Sequence, residues 1–227
     1  MDYYLSLSAW SPPEQTKPER LSSELDARGA DWSGCSLGKV DLSGARLCRC
    51  DLRGANLSNC VLDGADLRLA RYDSFTRWPE NFNISSSGAV GPGAHLNGVF
   101  LNGSDLRGMD LRGAHVMGAY LSGADLSGAV VDGVSFAGSD LRNAILRGCS
   151  CRSSRFGMCQ LDFADFRGAD LTKADILGAE SIRGADFSLS YGLETQAPKL
   201  LERGYYELDC WNALTRQNTR ETLESLI

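Results

Sequence analysis

Two histidines, His95 and His115, are the only imidazoles in 227 residues. They stand twenty residues apart. If that spacing stacks them, they could ligate a metal on one outer face. Zinc ordinarily takes four N, S or O ligands. The same column continues with Ser135 and Arg155, and its neighbour offers Asn97 and Met117. His95 and His115 are therefore only weak metal candidates, and a plain surface ladder is the preferred account of them. Carboxylates are plentiful but recur at regular intervals, so no pair stands apart for acid–base work. The serines show no Ser–His–Asp arrangement. The Gly-rich "GAVGPG" lacks the Lys and the strand-to-helix setting of a phosphate cradle. These observations predict no catalytic residue, no cofactor and no enzyme. Eight cysteines form no C-x-x-C pair. Cys35, Cys50 and Cys149 each face Ala twenty residues away, and Cys151 and Cys159 also lack partners at that spacing. Small buried thiols in a reducing cytoplasm are expected. No basic n-region opens the chain and no apolar run reaches membrane length, so neither export nor a membrane is expected.

The regular spacing of the acids leads to the elements that carry them. In "GAYLSGADLSGAVVDGVSF" (118–136), large apolar residues recur every five places: Leu121, Leu126, Val131, Phe136. Five is neither the helical nor the strand period. With Leu126 as a centre i, centres run from Leu96 to Ile176, and an earlier block runs from Trp32 to Tyr72. Small residues sit at i−2, Asp at i−1, Arg often at i+1 and Gly at i+2. Gly at one place in five excludes a long helix. It suits the third residue of a type II turn, where φ is positive. The stretch with Ser153, Met158 and Phe163 at i+2 is therefore expected to depart from that turn. Four units turning through right angles would close a twenty-residue square coil, with i and i−2 inside. At the strand spacing, about 7 coils make a rod of about 34 Å. Between Ile176 and Ile182 the step is six residues, which predicts a bulge near Glu180–Ser181.

The units "ADLSG", "ANLSN", "ADLRL" and "ADLTK" resemble the A(D/N)LXX motif of pentapeptide repeat proteins. The resemblance covers most of the chain. It implies an all-β solenoid, a right-handed quadrilateral β-helix, with short helical caps. The expected organisation is an N-terminal segment at 1–29, a β-helix at 30–191 interrupted by an insert at 73–95, and a C-terminal cap at 192–227. Thr195 is expected to begin a helix in that cap and Gly204 to end it. An end could instead pair two copies, leaving monomer or homodimer open. "YDSFTRWPENF" also resembles an insert in cyanobacterial members of the family.

Phe100 and Tyr120 lie at outward i−1 places, again twenty apart. Outward aromatics need cover, either from Phe75, Trp78 and Phe82 of the insert or from a partner. Trp78, Phe82, His95, Phe100, His115 and Tyr120 are the candidate interaction surface. The preferred function is a non-enzymatic protein-interaction scaffold with an unidentified protein partner. The resemblance also offers a DNA-mimicking inhibitor or protector of a type II topoisomerase (gyrase), which needs a dense negative surface. Residues 30–72 carry 5 acids and 6 bases, and 96–191 carry 11 and 9. That balance argues against mimicry and equally against a basic stripe for nucleic acid.

Overall fold

The computed structural model describes residues 25–227. The N-terminal segment expected at 1–29 lies mostly outside the described residues. The chain forms two compact units, Met1–His95 and Leu96–Ile227, and each is taken by itself.

In the second unit the repeat around Leu126 shows how all five backbone N–H groups find partners. Around Leu126, the Leu126 N–H donates to Ile145 O (2.7 Å) and Gly128 N–H to Arg147 O (2.8 Å). The Asp125 N–H reaches the other way, to Ser104 O (3.0 Å), and Ala129 N–H closes the turn on Leu126 O (2.9 Å). The fifth, Ser127 N–H, donates to Asp125 Oδ1 (2.9 Å). Asp at i−1 thus satisfies a turn amide that the coil cannot reach, as Asx turns do. Residues twenty apart pair in parallel down the unit, as in Phe100 with Tyr120 and Asp105 with Asp125. The centres and the small i−2 residues are buried, including Leu126, Leu146, Ala124 and Ala129. The pairing step lengthens by one residue at Gln160–Ser181. There Glu180 N–H (2.9 Å) and Ser181 N–H (3.4 Å) both donate to Cys159 O. Two amides on one carbonyl are the bulge expected from the sequence.

The first unit repeats the scheme, with Asp31 paired to Asp51 and Arg46 to Asp66. Ladder bonds enter both ends of the expected 73–95 insert. Arg77 N–H donates to Ala55 O (2.8 Å) and Leu57 N–H to Arg77 O (2.7 Å). Thr76 takes the small inward place, its hydroxyl donating to Leu52 O (2.9 Å). Leu69 N–H meets Gly88 O (2.8 Å), and Val90 N–H meets Ala70 O (2.7 Å). Ala89–Gly93 is then a repeat whose centre is Gly91. A Cβ there would lie 2.7 Å from Tyr72 O and 2.8 Å from the Tyr72 ring. The larger ring of Tyr72 takes the space that Leu fills elsewhere, and only glycine fits beside it. The backbone leaves the coil over 79–87, which holds the 3-10 turn Ile84–Ser86.

The turn expectation fails at three places. Ser153, Met158 and Phe163 keep positive φ at 55°, 56° and 58°, as Arg49, Leu69, Asn143, Lys173 and Leu189 also do. The ladder dictates the turn whatever the residue: Met158 N–H donates to Gly178 O (2.7 Å) and Phe163 N–H to Arg183 O (2.8 Å). Left-handed backbone costs a side chain about 1–2 kcal/mol, and the bonds above and below outweigh it. Met158 is 74% exposed, so its side chain recovers little by packing. Met158→Gly is expected to raise stability by about 0.5–1 kcal/mol, the strain relief exceeding the greater freedom of an unfolded glycine. Urea unfolding should show a higher midpoint at unchanged slope. A lower midpoint would mean that the turn is not strained.

The C-terminal segment contains α1 (Ala197–Leu200), α2 (Tyr205–Leu208), a hairpin of β1 (Trp211–Asn212) and β2 (Gln217–Asn218), and α3 (Thr219–Glu224). Its polar side chains take up backbone groups left open by the final coil. Gln196 accepts from Ile176 N–H (3.2 Å), and Glu207 from Ile182 N–H (3.1 Å). Asn212 donates to Gly184 O (2.8 Å). Two sequence expectations are corrected here. The residue before α1 is Gln196, not Thr195, and Gln196 spends its side chain on the coil rather than on the helix. Gly204 has φ −63° and ψ 148° and opens α2 instead of ending α1. Asn218 and Glu221 form a capping box on α3. No helix among the described residues is long and apolar enough to cross a membrane.

Candidate interaction surface

Repeats dressed with Asp at i−1 and Arg at i+1 close on themselves. Arg107 donates from Nε to Asp105 Oδ1 (2.8 Å) and from Nη2 to Oδ2 (2.9 Å). Arg53–Asp51, Arg68–Asp66, Arg112–Asp110, Arg142–Asp140 and Arg167–Asp165 do the same. The Arg142 hydrogen bonds hold the Asp140 carboxyl below the usual range, against the opposing effect of burial. Each pair neutralises itself locally, so these faces are generic.

Phe100 and Tyr120 break that pattern. Their rings stack at 4.5 Å with an interplanar angle of 9°. Phe100 is 68% exposed and Tyr120 43%. With Tyr at the i−1 place of its repeat, the turn amide needs another acceptor. Asn102, one coil earlier, supplies it to Ser122 N–H (3.1 Å). Asn97 does the same for Met117 N–H (2.9 Å) in the His115 repeat. The two asparagines free positions 115 and 120 from Asp.

Beside this face runs a corner that sequence reasoning missed. Its turns are stacked by Gly98 N–H to Met117 O (3.0 Å), Gly118 to Ala137 O (2.9 Å), Gly138 to Gly157 O (2.9 Å) and Met158 to Gly178 O (2.7 Å). No charged residue occupies any of these turns, and Met117, Met158 and Leu177 are exposed. Writing the sequence in rows of twenty would have exposed the uncharged column. Across the adjoining face lies a shallow groove of about 230 Å³, lined by Tyr120, Asp140, Arg142, Met158, Gln160 and Glu180. An apolar edge with a polar flank is the anatomy of a protein contact patch.

The other candidates fall in the first unit. Trp78 packs edge-on against Tyr72 (5.7 Å, 86°) and stacks on Phe82 (5.5 Å, 21°). Both are half-buried, whereas Phe75 is exposed. The exposed His95 donates its backbone N–H to Ser85 O (2.9 Å). His115, in the second unit, pairs with Ser135 and accepts from Leu96 N–H (2.7 Å). Among the described residues no three His, Cys, Asp or Glu side chains gather as a metal site.

Coils built from four five-residue repeats define a β-helical solenoid. The chain belongs to the pentapeptide repeat family: the family profile, pentapeptide repeats in 8 copies, matches residues 23–54, 50–71, 93–128, 117–150 and 149–188. Similar solved structures include a pentapeptide repeat protein from the Arabidopsis thaliana thylakoid lumen. It is 27% identical over 59% of this chain and 89% of that one, with a TM-score of 0.30. HetL from the cyanobacterium Nostoc, involved in heterocyst differentiation regulation, is 24% identical over 71% and 88%, with a TM-score of 0.25. The plasmid-mediated fluoroquinolone resistance protein QnrB1 is 21% identical over 79% and 91%, with a TM-score of 0.30. A comparison with curated proteins finds no match.

Proposed function

We propose that this chain is a non-enzymatic protein-interaction scaffold. Its frame is the family's right-handed quadrilateral β-helix, capped by the C-terminal helices, and it contacts a protein partner through the Phe100–Tyr120 face and the adjoining uncharged corner. The stacked, exposed aromatic pair carries the reading. Aromatics concentrate binding energy at interfaces, commonly more than 1–2 kcal/mol each at a hot spot, and here two asparagines maintain positions that Asp would otherwise occupy. Location in the cytoplasm belongs to the same reading, and it is supported by eight free thiols.

The gyrase-directed alternative needs a continuous acidic strip. The most acidic column of the second unit is Asp105, Asp125, Ile145, Asp165 and Asp186. Arg107 pairs with Asp105, and Arg147 and Arg167 with Asp165. Guanidinium groups interleave this column, which favours the scaffold.

The test is affinity capture from the native cell extract with the full chain and with a Phe100→Ser, Tyr120→Ser variant. The variant loses a ring contact of about 0.5–1.5 kcal/mol and should stay folded by thermal melting. At least one protein retained by the parent is expected to fall about tenfold or more, equivalent to about 1.4 kcal/mol. An unchanged set of captured proteins at unchanged amounts would remove this face from the interaction.

A further inference from the structure

Asp186 occupies the i−1 place of the last coil, where several aspartates, such as Asp105 and Asp165, receive Arg from two residues on and others, such as Asp125, receive Ser. Here that residue is Ser188. Its N–H (2.8 Å) and its hydroxyl both donate to Asp186 Oδ1. Oδ2 is left with no hydrogen-bond partner although Asp186 is only 1% exposed. The nearest cation, Arg167 Nε, is 3.9 Å from it. Arg167 is already committed, with Nε on Asp165 Oδ1 (2.9 Å) and Nη2 on Oδ2 (2.8 Å). A second buried polar atom without a hydrogen bond, Thr215 Oγ1, comes from the hairpin loop of the C-terminal segment. Asp186 and Thr215 line the same half-open cavity of about 670 Å³, within the range of small-molecule sites. Glu194 adds a carboxylate to its wall, and Leu189 and Leu226 add apolar surface.

We propose that this cavity binds a small organic ammonium compound. Its N–H donors satisfy Asp186 Oδ2, and its carbon chain lies along Leu189 and Leu226 beside the Thr215 hydroxyl. The charge balance selects the class. Two carboxylates line the cavity, while its one guanidinium is neutralised by Asp165, so an anion gains little and an ammonium gains a charge-assisted hydrogen bond. A buried acceptor left unpaired is costly, and a donor brought by the ligand removes that cost. A divalent metal needs more ligands than this wall provides, and no cluster of three metal-binding side chains exists among the described residues. The site joins the last coil to the C-terminal segment, so occupancy should also tighten that junction.

The probe is n-butylammonium, with n-butanol and butyrate as neutral and anionic analogues of equal length. Backbone amide NMR of the full chain is followed through each titration. Butylammonium should give saturable shifts at Asp186, Ser188 and Thr215, with millimolar affinity expected for so small a ligand. Its Kd should rise about tenfold in Asp186→Asn, as expected for losing a bond to a charged group. Thr215→Val, placed in the hairpin loop, should weaken binding less and leaves the coil intact if Asp186→Asn fails to fold. Equal binding of butanol would reduce the site to an apolar hole, and equal binding of butyrate would reverse its charge preference. Either result overturns the proposal. So does the absence of saturable shifts, or an unchanged Kd in Asp186→Asn, or in Thr215→Val where only that variant folds.

Discussion

Leu126→Lys is expected to unfold the coils on either side of it, at a cost of at least about 3 kcal/mol. Ser127→Lys, one residue away, should change stability by less than about 0.5 kcal/mol. Leu126 is fully buried, as are Leu106 and Leu146, the centres one coil before and after it. An ammonium among these side chains finds no carboxylate and no water, and the interior offers no path for it to reach solvent. Ser127 is a turn residue whose N–H and hydroxyl both donate to Asp125 Oδ1. A lysine there keeps the backbone bond and can turn its ammonium to Asp125, as Arg107 turns to Asp105. Because repeat stacks couple mainly to their neighbours, the loss in Leu126→Lys should be local first. Hydrogen exchange should therefore be fastest at the amides of residues bonded across that coil, such as Asp125 and Ile145. Equal urea midpoints for the two variants would refute the inside–outside phase of the repeat.

The period of five was enough to place the centres from Trp32 to Tyr72 and from Leu96 to Ile176 in the interior, because each wrong phase would bury Asp or Arg. It also located the bulge, since the spacing of Ile176 and Ile182 admits one residue too many for the stack. The turns were less legible. Propensity alone argues against positive φ at Met158 and Phe163, but propensity is a local quantity. The bonds that hold those turns come from Gly178 and Arg183, about twenty residues on. Gly91 hides for the same reason: as a centre it looks like a break, and only the Tyr72 ring beside it explains the choice. The aromatic pair was visible as Phe100 and Tyr120 at the same place in successive coils. The corner of Met117, Met158 and Leu177 was not, because its signal is a missing charge read down a column rather than a residue read along the chain. The cavity beside Asp186 lay further out of reach. Thr215 meets it through a hairpin that carries no repeat.

The largest loss from a single truncation is expected at Phe156. Its ring stacks on Phe136 along the coil axis (5.3 Å, 7°) and meets Phe166 edge-on (5.6 Å, 87°). Phe166 in turn stacks on Phe187 (5.2 Å, 13°). All four are fully buried, so Phe156 is the link that joins two stacked pairs. Phe156→Ala removes its own burial, opens a cavity against Phe136 and Phe166, and leaves Phe136 without its stacked ring. Core Phe→Ala changes cost about 3–5 kcal/mol. The upper part of that range is expected here, because the ladder bonds of Phe156, to Asp175 O (3.0 Å) and across its turn from Cys159 (3.1 Å), hold the backbone open. The cavity cannot close without breaking them. Phe156→Leu restores the side chain that equivalent centres such as Leu126 carry and should cost less than about 1.5 kcal/mol. Urea unfolding of both variants separates ring packing from simple volume. If Phe156→Ala costs no more than Phe156→Leu, the coil relaxes around the gap and the aromatic cluster does not set the stability of this unit.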